Sequence, residues 1–308
     1  MDHIAKPDCK MRLDRYLRIS FPGLTQSIIQ RSVRKGLIKI NHLKCSAKFQ
    51  ITGGEVLSIP NSFQTTSYRK NQKSIPIGAA SLAKKLFGAL AVHEDEEILV
   101  ISKPAKLATQ GGSKISISVD DAIRFQNNTY GTEMRIVHRL DKDTSGLLMI
   151  AKNRPTAVKI ANAFKNSLIE KRYLALFYGK PKAKEGWIKS EIDETEAVSY
   201  YRVVTKFSDQ LWCVLYVPKT GKMHQIRKHA LLMGGAIVGD QKYNDMYNSP
   251  YSQNLMLHAS YIRLPKTIES LQKNKFHAPL PLYWRQFLNQ HSKRHAISTL
   301  EQKNSTLK

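Results

Sequence analysis

The sequence predicts an α+β protein with two folded units. Residues 1–60 contain two short helical patterns followed by two strands, and residues 89–290 contain several apolar strand patterns with helical patterns between them. Residues 61–88 are rich in Ser, Thr, Asn, Gln and Lys and predict a linker, whereas residues 291–308 predict a disordered basic tail. With 308 residues, 42% of them hydrophobic, the chain can bury a substantial core.

The charge of the chain is strongly positive. The 49 Lys and Arg residues against 24 Asp and Glu give a net charge of +25. A surplus spread along the whole length indicates a polyanionic partner, and nucleic acid is the leading candidate. An anionic membrane is the alternative, but the sequence has no apolar run of about 18 residues and no basic amphipathic terminal helix.

The N-terminal residues and the cysteines indicate a cytoplasmic protein with reduced thiols. The first eight residues lack the apolar core of a secretory signal. Cys9, Cys45 and Cys213 are widely separated and odd in number, which fits neither a disulfide framework nor a zinc site. His224 and His229 lie five residues apart, on different faces of a helix, so a metal site is not expected there.

The first unit begins with two amphipathic helices. Leu13, Tyr16 and Leu17 share one face of a short helix. Thr25 is placed to cap a second helix that ends at Gly36. Two strands follow, around a Gly-Gly turn, at residues 37–41 and 55–59.

The second unit is predicted from strand and helix patterns in turn. The Pro-Thr pair at residues 155–156 is typical of a helix start, and residues 223–233 also read as a helix. Apolar or alternating runs predict strands at residues 98–104, 135–137, 147–151, 171–179, 211–217 and 255–259.

The polar loop at residues 138–146 stands between two of these strands. It holds Asp141 beside Arg139, and Gly146 lets the chain turn back into the core. A carboxylate held near a cation favours the ionised form, which suits a nucleophile or a general base. From spacing alone, an ordinary turn whose Asp and Ser bind local backbone fits equally well.

The first unit resembles the small α-L RNA-binding domain that is also found in a small-subunit ribosomal protein. The motifs that carry the resemblance are RLDRYL at residue 12, SIIQRSVRKGLIKIN at 27 and GGEVLSI at 53. The resemblance implies that the basic second helix contacts the RNA backbone through Arg31, Arg34 and Lys35.

The second unit resembles the RluA-type family of pseudouridine synthases over nearly all of residues 90–290. The motifs, in order, are KPAKL at 103, HRLDKDTSG at 138, KRYLALFYG at 171, TGKMHQIRKH at 220, IVGDQKY at 237 and LHA at 257. The two-domain layout is similar to the RluC-like branch that acts on large-subunit ribosomal RNA. The resemblance implies a mixed, mostly antiparallel sheet with flanking helices, and a monomeric isomerase (intramolecular transferase) that needs no cofactor or metal.

The resemblance also implies roles for individual residues. Asp141 would attack a flipped-out uridine, either by addition to the sugar or by removal of its 2′ proton. Arg139 would fill the space that the base vacates, and Arg227 would pair with Asp141. Tyr173 would pack on the uracil and assist the removal of the proton from carbon 5. Further contacts to the substrate or the RNA are implied for His138, His224, Gln225, Ile226, Lys103 and Lys171.

Two functions from other classes compete with this interpretation. A non-catalytic RNA-binding factor for ribosome assembly accounts equally well for the charge and the first unit. A hydrolase of N-glycosidic bonds that uses Asp141 is the second alternative, and it would be expected to need a second carboxylate to activate water. The joint presence of Asp141, Tyr173 and Arg227 favours the synthase, with ribosomal RNA or an assembling ribosomal particle as its partner.

Overall fold

The chain divides into two units, Met1–Ser74 and Ile75–Lys308. The computed structural model describes residues 2–6, 10–21, 24–65, 74–112, 115–243, 249, 254–268 and 273–291. Within these ranges no helix is long and apolar enough to cross a membrane. Cys45 and Cys213 are free thiols, and Cys9 lies outside the described residues.

The first unit combines short strands with three helices in its described part. The helices are α1 (Leu13–Ser20), α2 (Gln26–Arg34) and α3 (Ser62–Thr65), and the strands are β1 (Asp2–Ile4), β2 (Met11–Arg12), β3 (Lys39–Ile40), β4 (Leu43–Lys44), β5 (Gln50–Ile51) and β6 (Val56–Ser58). An antiparallel sheet has the strand order β1-β6-β3-β4, and β2 pairs with β5.

The two predicted amphipathic helices of this unit are confirmed. Leu13 and Tyr16 on α1 are buried in the core. The Ile28 N–H donates to Thr25 Oγ1 at 3.3 Å, so Thr25 caps α2. Gly36 follows the helix with a φ of 67°, a left-handed conformation that favours glycine.

The second unit is built on one large sheet. In its described part the helices are α4 (Ala79–Phe87), α5 (Val119–Tyr130), α6 (Arg154–Lys165), α7 (Gln225–Leu232) and α8 (Leu282–His291), and the strands are β7 (Ala91–Glu94), β8 (Ile98–Lys103), β9 (Arg135–Ile136), β10 (Ser145–Ala151), β11 (Glu170–Gly179), β12 (Glu185–Ile192), β13 (Thr195–Lys206), β14 (Leu211–Pro218), β15 (Gly235–Ile237), β16 (Leu257–Arg263) and β17 (Lys275–His277).

The sheet is mixed and mostly antiparallel, as the resemblance implied. Its strand order is β12-β13-β14-β11-β16-β10-β8-β7, with β15 on β11, β17 on β16 and β9 on β10. The described pairings are antiparallel except that of β10 with β16, which is parallel. The expected fold class is therefore confirmed.

Strand β10 is buried along its whole length and positions the loop that precedes it. Leu148 and Ile150 pack into the core formed with α4 and α5, whereas Leu147 and Met149 pack on the opposite face with α6. Helices on both faces fix this strand, because each face buries apolar side chains. The polar loop therefore leaves the core at a fixed point.

Gly146 allows β10 and β16 to approach closely at the end of the loop. Its φ is 112°, and an added Cβ would lie 2.2 Å from the carbonyl oxygen of Ala259 on β16. No other residue fits this position without separating the strands. Next to it, Ser145 Oγ lies 2.9 Å from His258 Nδ1, a buried contact that also joins the two strands.

The last part of the predicted linker at residues 61–88 is helical in the structure. Helix α4 occupies residues 79–87, and its Ala83 and Leu86 are buried in the core of the second unit. The polar composition of the preceding residues concealed this short apolar stripe. Residues 66–73 lie outside the described residues, as do residues 292–308 of the predicted tail, whose first residue, His291, ends α8.

Candidate active site

Buried hydrogen bonds hold the loop ahead of β10 at its backbone. Thr109 Oγ1 donates to the Leu140 carbonyl oxygen at 2.7 Å and accepts from the Leu140 N–H at 3.1 Å. Thr109 is 3% exposed, so water competes little for these two hydrogen bonds. The residue that follows Leu140 is Asp141, whose backbone position is fixed as a result.

Lys103 holds the same loop and is not an RNA contact, which corrects the sequence prediction. Its side chain is completely buried, and Nζ donates to the carbonyl oxygen of Lys142 at 3.2 Å and to two carbonyls in the turn after β8. Burial lowers the pKa of Lys103 to about 7, although the negative charges of Asp143 and Asp141 favour its charged form.

His138 also supports the loop. The Met149 N–H donates to His138 Nε2 at 2.9 Å, and the ring stacks on Phe164 with centroids 4.4 Å apart. Burial, together with the charge of Lys171, lowers the pKa of His138 to about 3, so the ring is neutral. His138 forms part of a cavity wall, but its Nε2 is already used by the backbone.

A cavity of about 570 Å³ lies beside the loop, within the size range of small-ligand sites. It brings together residues that are far apart in the sequence. Asp141, Tyr173 and Arg227 all border the cavity. Apolar side chains form part of its wall, namely Val137, Ile226 and Leu257. Cationic side chains also line it, namely Arg139, Lys165, Lys171 and Lys222. An apolar interior with a basic rim suits a nucleobase attached to a phosphate backbone.

His224 lies close to Asp141. Its Nε2 lies 3.8 Å from Asp141 Oδ2, and its Nδ1 forms a 3.0 Å hydrogen bond with the Tyr243 hydroxyl. The backbone of His224 is left-handed, with a φ of 54°, which only a constraining environment maintains in a non-glycine residue. Burial lowers the pKa of His224 even though Asp141 favours its charged form.

Arg227 forms its ion pair with Asp240, so the predicted direct pair with Asp141 is wrong for this structure. Nε and Nη2 donate to the two carboxylate oxygens of Asp240 at 2.7 and 2.6 Å. Asp240 also accepts from the N–H groups of Lys242 and Tyr243, at 2.9 and 3.0 Å. Arg227 still borders the cavity, and the charge of Asp141 contributes to raising its pKa after that of Asp240.

Tyr173 is half-buried on β11 and contributes its ring to the cavity. The ring packs against the clusters on the α4–α5 side and on the α7 side of the sheet. Burial, and then the negative charge of Asp141, raises the pKa of the hydroxyl well above its usual value. The hydroxyl is therefore protonated at neutral pH.

Gln225, predicted to contact the substrate, borders the cavity, but its amide is hydrogen-bonded within the protein. It is 4% exposed, and its Oε1 accepts from Thr220 Oγ1 and from the Lys222 N–H, at 2.7 and 3.0 Å. Its Nε2 donates to the Val198 carbonyl oxygen and to Ser199 Oγ at 3.0 and 2.9 Å. These four bonds use the whole capacity of the amide and fix the turn between β14 and α7.

Lys171 and Arg139 differ in how they meet the cavity. Lys171 is 9% exposed and lies in the wall, where burial and then the charge of Lys219 lower its pKa. Arg139 is exposed and borders both this cavity and a second one of about 660 Å³. Asp141 and His224 border both cavities too, so the carboxylate lies where the two meet.

Comparisons with known proteins match both units. Residues 97–232 match the family model described as RNA pseudouridylate synthase, and residues 11–57 match the S4 domain. The Ribosomal large subunit pseudouridine synthase C of Rickettsia bellii is 39% identical over 289 residues, which cover 89% of this chain and 95% of that protein. This chain belongs to the RNA pseudouridylate synthase family. The protein of the same name from Rickettsia prowazekii is 38% identical over the same shares of both chains.

The fold of this pseudouridylate synthase also agrees with a solved structure. Human RNA Pseudouridylate Synthase Domain Containing 4 aligns with a TM-score of 0.58 at 23% identity, over 68% of this chain and 95% of that one. Family membership confirms the prediction of an isomerase and disfavours both alternatives from other classes.

Three residues of the synthase site were missed by the sequence analysis. Thr109 anchors the loop, Asp240 binds Arg227, and Tyr243 binds His224. The IVGDQKY motif contains the last two and was the available signal, but the sequence does not say where this turn packs. Thr109 had no signal, because its partner Leu140 is 31 residues away.

The three cations predicted to bind RNA in the first unit are exposed in the structure. They lie at the C-terminal end of α2 and just beyond it, at Arg31, Arg34 and Lys35. No group of three or more His, Cys, Asp or Glu side chains in the described ranges could hold a metal ion.

Proposed function

We propose that this chain isomerises specific uridines of large-subunit ribosomal RNA to pseudouridine, in free RNA or in an assembling ribosomal particle. The observation that carries the proposal is the position of Asp141, where two cavities with cationic rims meet, opposite Tyr173 and His224. The names of the relatives from Rickettsia support large-subunit ribosomal RNA as the substrate.

The target nucleotide leaves its stack before it reacts. Extruding a base costs a few kcal/mol, and least where the base is already unpaired, so a loop in structured RNA is the expected target. Arg139 is exposed at the junction of the two cavities and fills the place that the base vacates. The uracil then packs on the ring of Tyr173 and against Ile226 and Leu257.

Asp141 acts on the ribose of the extruded nucleotide, as a nucleophile at carbon 1′ or as a base at carbon 2′. The bond from carbon 1′ to N1 breaks, the uracil turns, and carbon 5 bonds to carbon 1′ as Asp141 leaves carbon 1′ or returns the proton to carbon 2′. The proton on carbon 5 then leaves, and N1 gains one, so the reaction conserves every atom and needs no oxidant or reductant. Tyr173, whose hydroxyl is protonated, packs on the uracil and assists the removal of the proton from carbon 5.

The first unit serves as an RNA clamp. Residues 1–60 contain 11 Lys and Arg against 4 Asp and Glu, and the exposed end of α2 presents three of the cations. Cations on an exposed helix gain affinity by releasing counterions from the phosphates, without reading the sequence. This unit therefore adds affinity and little to the chemical step.

Tritium release tests the proposal. Ribosomal RNA that carries tritium on carbon 5 of uridine will release it to water with the wild-type chain but not with Asp141→Asn. Asp143→Asn, which removes an exposed carboxylate from the same loop, is the matched control and will keep most of the rate. Release by Asp141→Asn at the wild-type rate would overturn the role of Asp141, and no release by the wild type would overturn the function.

A further inference from the structure

A strongly exposed tryptophan lies on the β12–β13 hairpin. Trp187 is 57% exposed and stands directly opposite Tyr200 in the antiparallel register. The two ring centroids are 5.4 Å apart at an angle of 58°. With Lys219, whose Nζ lies 5.9 Å from the centroid of the Trp187 ring, they form what we name the aromatic platform.

The aromatic platform adjoins the catalytic cavity. Lys219 lies in the chain between Pro218 and Thr220, and both of these line the cavity. Its charge also reaches Lys171 in the cavity wall, where it adds to the effect of burial in lowering that pKa. A polymer strand that leaves the cavity along this side therefore meets Lys219 and then Trp187.

Packing within the protein does not account for the exposure of Trp187. Trp284 is completely buried, and Trp212 donates its Nε1–H to the Gly179 carbonyl oxygen at 2.9 Å. The indole N–H of Trp187, by contrast, donates to no residue that the structure describes, and the side chain is largely exposed to solvent. Exposed aromatic rings with a cation beside them are typical of sites that stack single-stranded nucleic acid.

Charges of both signs surround the platform, with Arg202 and Lys189 in the rows on either side of the Trp187–Tyr200 pair. Glu185 accepts a hydrogen bond from the Tyr200 hydroxyl at 2.7 Å. Glu191 and Glu196 pair across the hairpin at its far end, about 13 Å from Trp187 at four residues of strand length. The Lys219 N–H donates to the Val198 carbonyl oxygen, and Val198 pairs with the exposed Lys189, so both lysines lie between Trp187 and this glutamate pair in the strand register and place cations next to the ring.

We propose that the aromatic platform binds one unpaired base of the substrate RNA, close in sequence to the nucleotide in the catalytic cavity. The base stacks on Trp187, and Lys219 meets the adjoining phosphate. The inference rests on the proposed function in taking RNA as the polymer, and it adds a contact that selects single-stranded over paired RNA around the target.

Equilibrium binding to the full chain tests the platform. The probes are a single-stranded oligouridine of about 20 nucleotides and an RNA duplex of the same length. Trp187→Ala will weaken binding of the single strand by about 5-fold to 150-fold, the affinity equivalent of one stacked base, with little effect on the duplex. Trp187→Phe, which keeps a ring, will restore most of the affinity.

Tyr130→Ala is the matched control, because Tyr130 is a 66% exposed aromatic at the end of α5 and does not line the cavity. It will leave both affinities unchanged. Unchanged single-strand affinity in Trp187→Ala, or an equal loss in Tyr130→Ala, would overturn the platform. Tritium release by the wild type is a separate measurement, so failure of the proposed function is distinguishable from failure of the platform.

Discussion

Replacing Asp240 by Asn will destabilise the second unit and weaken the active site at the same time. Asp240 and Arg227 form a bidentate pair with side chains only 1% and 7% exposed. The substitution keeps the shape but removes the negative charge, so a buried guanidinium loses its compensating partner. The carboxamide also offers one acceptor oxygen where two were used, by the guanidinium and by two backbone N–H groups.

The magnitude follows from the burial of the pair. Breaking a buried ion pair by removing one partner costs about 3–5 kcal/mol, because water cannot take the place of the lost charge. For a unit of this size that corresponds to a fall in Tm of about 6–20 °C. Calorimetric unfolding of the wild type and of Asp240→Asn measures it.

The matched control for this prediction is Asp209→Asn. Asp209 pairs with Lys206 at a similar distance, 2.7 Å, but its side chain is 96% exposed, so its loss will leave the Tm unchanged within error. Equal Tm values for the Asp240 and Asp209 variants would refute the claim that the buried pair stabilises the fold.

A double variant separates stability from activity. Arg227→Met with Asp240→Leu replaces the pair by apolar side chains and will recover much of the lost free energy of unfolding. Tritium release will stay low, because the guanidinium that borders the cavity is gone. Full activity in the stable double variant would show that Arg227 has no part in the reaction.

Three further predictions concern other parts of the chain. Gly146→Ala will lower the free energy of unfolding by more than about 3 kcal/mol, since the added Cβ would clash with the backbone of β16. Gly221→Ala is the control, because a Cβ there meets nothing within 4 Å, and it will not lower the free energy of unfolding. Equal urea midpoints for the two variants would contradict the prediction. The pKa of Lys103 is about 7 in the folded protein against an ordinary 10.5, so the unfolded chain binds more protons between these pH values and the free energy of unfolding rises with pH. Lys103→Met will remove that rise in a series of denaturation curves at different pH. An unchanged slope of stability against pH would contradict the prediction. Replacing Arg31, Arg34 and Lys35 by Gln will reduce the slope of log affinity for RNA against log salt concentration by about two. The single-turnover rate at saturating RNA will be unchanged. A slope identical to that of the wild type would exclude the clamp role of these three residues.

Local patterns predicted many of the elements in this chain, but not helices α4, α5 and α8 or the β12–β13 hairpin. Thr25 as a helix cap and the Pro155 helix start both depend on residues within one turn of each other, and both are present. The loop at residues 138–146 could be predicted because a polar run between two apolar strand patterns is a feature of the sequence alone. The strand ahead of it is shorter than its apolar pattern suggested, since β9 has two residues and Arg135 is exposed.

Long-range partners could not be read from the sequence. Lys103 was interpreted as an RNA contact because a lysine is normally exposed. In the structure its Nζ is buried and donates hydrogen bonds to three carbonyl oxygens from two separate segments. Arg227 was paired with Asp141, whereas the turn after β15 brings Asp240 closer. Both errors concern tertiary contacts that spacing does not encode.

The most direct test of the account is a map of pseudouridines in large-subunit ribosomal RNA from cells whose only copy of this gene encodes either the wild type or Asp141→Asn. We predict that a defined set of uridines is modified with the wild type and left unmodified with Asp141→Asn, at equal protein levels. An identical map in the two strains would contradict it.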